Sequence, residues 1–181
     1  MVGAFDDDDG TVKSNQLLIT PTVTAANDAP VQINATVNVG STPEDNNLDI
    51  STQSLLSSFV DEDLDNLSIV SITVRDDSNG VSPGTIAEID STTWRFAPSA
   101  NYNGSVQLDY VVTDSTVNAN GTAFLDISPI NDVPFLGTSH SFPAQTEDTP
   151  FDILVSDLLI GYSDIDADTL SVTGLSATNG I

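Results

Sequence analysis

Val31, Ile33, Ala35, Val37 and Val39 alternate strictly with Gln32, Asn34, Thr36 and Asn38. Alternation with a period of two predicts one half-buried β-strand over 31–39. Thr42-Pro43-Glu44-Asp45 breaks it. Leu48 and Ile50 open a short extended piece, and Leu55, Leu56 and Phe59 fit one helical turn. Leu67–Val74 reads as a second long strand. Thr85–Ile89 and Thr92–Phe96 read as a hairpin across Asp90-Ser91, with Trp94 and Phe96 on one face and in the core. Pro98–Gly104 is a loop. Val106–Val112 and Thr122–Ile127 are the last two strands. About seven short strands with turn signals between them, and no long helix, predict an all-β, immunoglobulin-like antiparallel β-sandwich. The chain has no cysteine, so the disulfide of antibody domains is not part of it.

The pattern then starts again. Asn27-Asp28-Ala29-Pro30 returns as Asn131-Asp132-Val133-Pro134, 104 positions later, and the stretch from 44 to 69 returns 103 positions later with 11 identities in 26 positions. Among them are Glu44-Asp45 with Glu147-Asp148, Leu55-Leu56 with Leu158-Leu159, and Asp61, Asp63 and Asp65 with Asp164, Asp166 and Asp168. A period this long is a whole domain rather than a solenoid turn. Residues 27–131 are expected to form one complete repeat. Residues 132–181 are expected to be the N-terminal half of a following repeat, and 1–26 the C-terminal strands of a preceding one. The chain is then a slice of a longer protein. Met1 is followed by neither a basic nor an apolar leader region, so no secretory start is read there. No run of about 18 apolar residues is present, so no membrane insertion is expected.

Charge narrows the function. The 181 residues are 39% hydrophobic, yet 27 acidic residues face only three basic ones, for a net charge of −24. Phosphate neutralisation needs Lys and Arg, so nucleic acid is excluded as a partner, and an anionic membrane surface with it. A chain this apolar folds rather than staying disordered. Bound cations or high external salt must then offset the charge.

The acids cluster in loops at the ends of the repeat: Glu44-Asp45, Asp61-Glu62-Asp63-Leu64-Asp65, Asp114, and the linkers Asn27-Asp28 and Asn131-Asp132. Alternate Asp residues in an extended loop lie about 6–7 Å apart, and a curled loop lets them share one cation. Calcium takes about six to eight oxygen ligands. Zinc and copper are disfavoured by the absence of His and Cys clusters. The Asp61 loop lacks the Gly and the closing Glu of an EF-hand. The bland alternatives are solvated turns: Asp45 and Asp148 as turn caps, and Asp6–Asp9 as a solvated tail. His140, between Ser139 and Ser141, reads as a surface strand residue. No nucleophile elbow or phosphate loop appears, so an enzyme is not expected. Trp94 and Tyr102 could stack on sugars, although packing explains them as well.

Pro43-Glu44-Asp45, the Asp61–Asp65 loop, Val112-Thr113-Asp114 and Pro129-Ile130-Asn131-Asp132-Val133-Pro134, in that order, resemble a cadherin-type repeat. The stretches through Leu67-Ser68, Trp94-x-Phe96-x-Pro98 and Asn101-Tyr102-Asn103-Gly104 are similar to the tandem cadherin-like repeats of large type I-secreted (RTX-type) bacterial surface adhesins. The resemblance implies Ca2+ at the junctions between repeats. One junction would use Asn27, Asp28, Asp63, Asp65 and Asp114. The other would use Glu44, Asn131, Asp132, Asp166 and Asp168, with Asp61 and Asp164 as second candidates. Animal cadherins carry an Asp-x-Glu in a mid-repeat loop, where this chain has Asn101-Tyr102-Asn103-Gly104. The resemblance further implies an extracellular or cell-surface stalk serving cell adhesion or biofilm formation. Its partners would be neighbouring repeats of the same chain, with cell-surface or matrix ligands bound elsewhere in the protein. The alternative is an accessory carbohydrate-binding or spacer module of a secreted polysaccharide-degrading enzyme, which calls for exposed aromatics on one sheet face. A third reading is a halophilic domain with no specific ion site.

Overall fold

The computed structural model describes residues 5–6, 12–13, 21–35 and 37–176. Asp7–Asp9 and Asn179-Gly180 lie outside them. The elements run β1 (Phe5–Asp6), β2 (Val12–Lys13), β3 (Val31–Gln32), β4 (Val37–Pro43), β5 (Leu48–Ser51), α1 (Thr52–Leu56), β6 (Phe59–Val60), β7 (Ser68–Val74), β8 (Gly84–Asp90), β9 (Thr93–Pro98), β10 (Gly104–Thr113), β11 (Asn118–Ser128), β12 (Phe135–Leu136), α2 (Val155–Leu158) and β13 (Tyr162–Ser163). Among the described residues the chain is all-β apart from two short helical turns.

Two sheets make the sandwich. One has the order β4-β11-β10-β7 and the other β5-β9-β8. β10 and β11 pair antiparallel from Gly104↔Ile127 to Thr113↔Asn118. Their inward positions, Val106, Leu108, Tyr110, Val112, Ala123, Leu125 and Ile127, are buried, and alternate residues face out. That alternation is the pleat of a half-buried sheet. Ile50, Leu55, Trp94 and Phe96 close the core from the other side. Trp94 and Phe96 sit inside, as their shared face predicts.

The strand expected over 31–39 is two strands. β3 pairs antiparallel with β6, whereas β4 pairs parallel with β11. The chain leaves one partner for another between Gln32 and Val37. Ile33 remains exposed, while Val37 is buried. Alternation runs unbroken through the crossing although Val31 and Ile33 are both exposed, so periodicity alone does not reveal the break.

The helical turn expected after Ile50 is α1, with Leu55 buried under it. Tyr110 Oη, deep in the core, hydrogen-bonds Ser58 Oγ at 2.9 Å and donates to Leu55 O at 3.4 Å. This ties the α1 turn to β10 at the end of the sandwich where the acidic loop emerges.

Residues 132–176 repeat the opening of the unit. β12 pairs with β13 as β3 does with β6, and α2 follows the place of α1. Ile50 is 1% exposed but its counterpart Ile153 is 47% exposed, because no strands corresponding to β7–β11 pack over it among the described residues. His140 lies in irregular chain rather than the expected strand, edge-on to Phe142 with ring centroids 5.2 Å apart.

Candidate metal centre at the repeat junctions

The loop after β6 is built around one carboxylate. Asp61 Oδ1 accepts the backbone amides of Asp63 at 3.0 Å and Asp65 at 3.3 Å. These bonds curl the loop, and Leu64 turns through a left-handed conformation at φ 63°. That conformation costs a β-carbon-bearing residue roughly 1–2 kcal/mol. The curl brings one carboxylate oxygen from each of Asp61, Asp63 and Asp65 within 4.8 Å of one another.

The linker closes on this loop. Asp63 Oδ2 accepts the Asp28 amide at 2.7 Å. Asn27 Nδ2 donates to Asp114 Oδ2 at 2.8 Å and to Asp28 O at 2.9 Å. Asp114 Oδ1 accepts the Thr116 and Val117 amides, each at 2.6 Å. The Val117 amide first, then the Asn27 side chain, hold Asp114 below the usual carboxylate range. Asn27, Asp28, Asp61, Asp63, Asp65 and Asp114 therefore gather at one end of the 27–131 unit.

At the other end Glu44 is buried and its Oε1 accepts the Ile130 amide at 2.5 Å. Next along the linker, Asn131 Nδ2 donates to Asp132 O at 2.8 Å, and the Asp132 amide donates to Asp166 Oδ2 at 2.7 Å. Asp164 Oδ1 accepts the Asp166 and Asp168 amides at 3.0 and 3.3 Å. Ala167 takes the left-handed turn at φ 62°. Desolvation first, then the charges of Asp166, Asp45, Glu44 and Asp164, hold Asp132 above the usual range. Glu44 and Asp166 thus meet the linker Ile130-Asn131-Asp132 at the second end, with Asp164 and Asp168 in the loop that carries Asp166; among the described residues only the carboxylates of Asp61, Asp63 and Asp65 converge within 4.8 Å.

Asp61, set behind Asp63 and Asp65 in the sequence reading, is the centre of its loop. It is only 9% exposed, and its Oδ2 is buried with no hydrogen-bond partner among the described residues. A buried acceptor left unpaired costs about 1–3 kcal/mol, and a cation between the three carboxylates would remove that cost. The donor set is all oxygen, which suits a hard cation. Asp45 is an addition that sequence reasoning left as a turn cap. It is left-handed at φ 61°, its Oδ1 accepts the Asn101 amide at 3.3 Å, and its charge acts on Asp132. The repeated Glu-Asp pair at 147–148 was the only sequence signal for it.

The model of the cadherin-like domain matches residues 26–128 and again 130–181. The chain belongs to the cadherin-like domain family. Two matches in tandem cover both acidic loops and both linkers. No curated protein matches the chain. Among solved structures, this cadherin-like chain is similar to the endo-fucoidan hydrolase MfFcnA4 from glycoside hydrolase family 107, with a TM-score of 0.39 and 18% identity over 60% of this chain and 15% of that one. It is also similar to a chimeric titin Z1Z2, with a TM-score of 0.31 and 13% identity over 59% of this chain and 100% of that one. A third is the N-terminal Ig1-2 module of the Drosophila receptor protein tyrosine phosphatase DLAR, with a TM-score of 0.31 and 14% identity over 61% of this chain and 57% of that one. The chain spans a small part of the hydrolase's length. Scores this low carry no functional assignment. Among the described residues no helix is long and apolar enough to cross a membrane.

Proposed function

We propose that the chain is a calcium-binding structural segment of an extracellular bacterial adhesin stalk, of the type I-secreted RTX kind. It comprises the end of one cadherin-like repeat (1–26), a complete repeat (27–131) and the start of a third (132–181). The observation that carries this reading is the buried, unpartnered Oδ2 of Asp61 inside a three-carboxylate loop. The same loop architecture recurs at Asp164, Asp166 and Asp168.

Asp61, Asp63 and Asp65, with Asp114 and the Asn27-Asp28 linker, would hold calcium at the first junction. Asp164, Asp166 and Asp168, with Glu44 and Asn131-Asp132, would hold it at the second. The ion supplies positive charge and coordination for six to eight oxygens. Carboxylates from one repeat, its linker and the next repeat then share a centre instead of repelling one another. Consecutive sandwiches are joined end to end and the stalk stiffens. On this reading the chain performs no chemistry of its own, and what the adhesin grips lies elsewhere in the protein. The sugar-binding alternative calls for an exposed aromatic face. Within 27–131 Phe59, Trp94, Phe96 and Tyr110 are buried, and Tyr102 and Phe124 are half-buried.

The test is a thermal-unfolding titration of the chain with calcium at fixed ionic strength, with magnesium and sodium as controls. A calcium-selective rise, lost in Asp63→Asn/Asp65→Asn/Asp166→Asn/Asp168→Asn, is expected. An equal response to every salt would replace this reading with a halophilic surface.

A further inference from the structure

Asparagine is followed by glycine at Asn79-Gly80, Asn103-Gly104, Asn120-Gly121 and Asn179-Gly180, the last outside the described residues. Asparagine is a labile residue, and most so before glycine, where no β-carbon hinders the following amide nitrogen. That nitrogen attacks the asparagine Cγ. A new C–N bond closes a five-membered succinimide, and the side-chain nitrogen leaves as ammonia. Water then opens the ring at either carbonyl and gives aspartate or isoaspartate.

The three described pairs share this chemistry and differ in what holds them. Asn79, Asn103 and Asn120 are all exposed, so exposure does not rank them. Ring closure requires the backbone to swing the glycine nitrogen toward Cγ, which a paired, extended strand opposes. Asn120 lies opposite Val111 and Gly121 opposite Tyr110, inside the β10–β11 ladder. Gly121 is also buried against the Tyr110 and Phe59 rings. Gly104 is the end rung of the same ladder, opposite Ile127. Asn79-Gly80 belongs to no ladder. It lies in the crossover from β7 to β8, which are strands of different sheets.

The crossover turn is closed on Asp77. Its Oδ1 accepts the Asn79 and Val81 amides, each at 2.8 Å. Its carbonyl accepts the Gly80 amide at 3.0 Å, and its own amide donates to Val81 O at 2.9 Å. The Gly80 nitrogen is therefore engaged until the turn opens. Opening breaks bonds within 77–81 alone, whereas freeing Gly104 or Gly121 opens part of the ladder that carries the core. Local opening of an exposed turn costs less free energy than opening a core strand.

We propose that Asn79 is the principal site of spontaneous deamidation among the described pairs, and that Asp77 restrains it. The product adds a carboxylate beside Asp76 and Asp77. Isoaspartate also lengthens the main chain by one methylene, between the two sheets rather than within either. The sandwich survives, and its negative charge grows with the age of the chain. This goes beyond the calcium reading and does not rest on it.

The full chain incubated at mildly alkaline pH, with each Asn-Gly peptide followed in time by mass spectrometry, tests the proposal. Product at Asn79 should form first and exceed that at Asn120 by at least about tenfold, the ratio that about 1.4 kcal/mol of extra opening cost gives. Asn103 should fall between. In urea the three rates should converge, because the ladder no longer separates them. Asp77→Ala should quicken the reaction at Asn79 several-fold and leave Asn120 unchanged, which also reports an intact sandwich. Asn79→Gln should remove the fast product and leave the thermal midpoint where it was. Faster conversion at Asn103 or Asn120 than at Asn79 in the folded chain would overturn the site. An Asn79 rate that Asp77→Ala does not raise, or a rise shared equally by Asn120, would overturn the restraint.

Discussion

Asp63 and Asp166 stand 103 positions apart and make the same bond: each offers its Oδ2 to the backbone amide of the linker aspartate before it, Asp28 or Asp132, at 2.7 Å. The repeat thus preserves a geometry as well as a letter. The conserved feature is a side chain that reaches back 34 or 35 positions to hold the incoming chain.

Asp61→Asn should change sign with calcium. Without the ion, replacing a buried carboxylate whose Oδ2 lacks a partner is expected to be neutral or mildly stabilising. With calcium in hundredfold excess over its dissociation constant, the wild type gains about 2.7 kcal/mol and the variant should gain far less. Urea denaturation of both proteins in chelator and in calcium checks this. A variant that gains as much as the wild type would remove Asp61 from the site.

Leu64→Gly should not weaken the fold. Leu64 is left-handed at φ 63° and 87% exposed, so glycine loses little packing and relieves backbone strain. A gain of up to about 1 kcal/mol in chelator is expected, read from the denaturation midpoint. A clear loss would mean that the leucine side chain has a contact of its own.

Gly121→Ala should be costly. A β-carbon there would stand 2.6 Å from Tyr110 Cζ and 2.9 Å from Phe59 Cε2. The Tyr110 ring cannot retreat freely, because its hydroxyl is held by Ser58 at 2.9 Å. Overpacking of this kind costs about 1–3 kcal/mol. Thermal denaturation of the variant, and of Gly80→Ala where nothing lies within 4 Å, separates crowding from the strain of a left-handed turn.

Acid sensitivity should map in part to Asp49. Directly across from it, Arg95 donates from Nε at 2.7 Å to Oδ1 and from Nη2 at 2.8 Å to Oδ2. These bonds hold Asp49 below the usual carboxylate range. A carboxylate lowered by folding contributes stability that is present above its unfolded value and lost as pH falls through the folded one. Asp49→Asn should flatten the acid limb of the stability profile below about pH 4 and leave its calcium response unchanged. The exposed setting keeps the effect small.

Most of the strands were legible along the chain, because most carry their own alternation and the turns between them their own Gly, Pro, Asn or Asp. Val106–Val112 and Thr122–Ile127 fall inside β10 and β11 because one face of each had to be apolar. The split of Val31–Val39 was hidden because both halves alternate in phase. The candidate site was legible only as a collection. The 103-residue period picked out Asp61, Asp63 and Asp65, but it could not rank them. Asp61 became the centre once its Oδ1 took the loop amides and its Oδ2 was left enclosed.

The sequence by itself determined the all-β class, the repeat and the placing of its acids in end loops, since these follow from local periodicity and from self-similarity along the chain. Only the tertiary structure decided that β4 runs parallel to β11, that Asn27 meets Asp114 across 87 positions, and that Glu44 holds Ile130 across 86. Such pairings depend on how the two sheets close over one core, and a local pattern does not record which distant backbone amide that closure brings within 3 Å of a carboxylate.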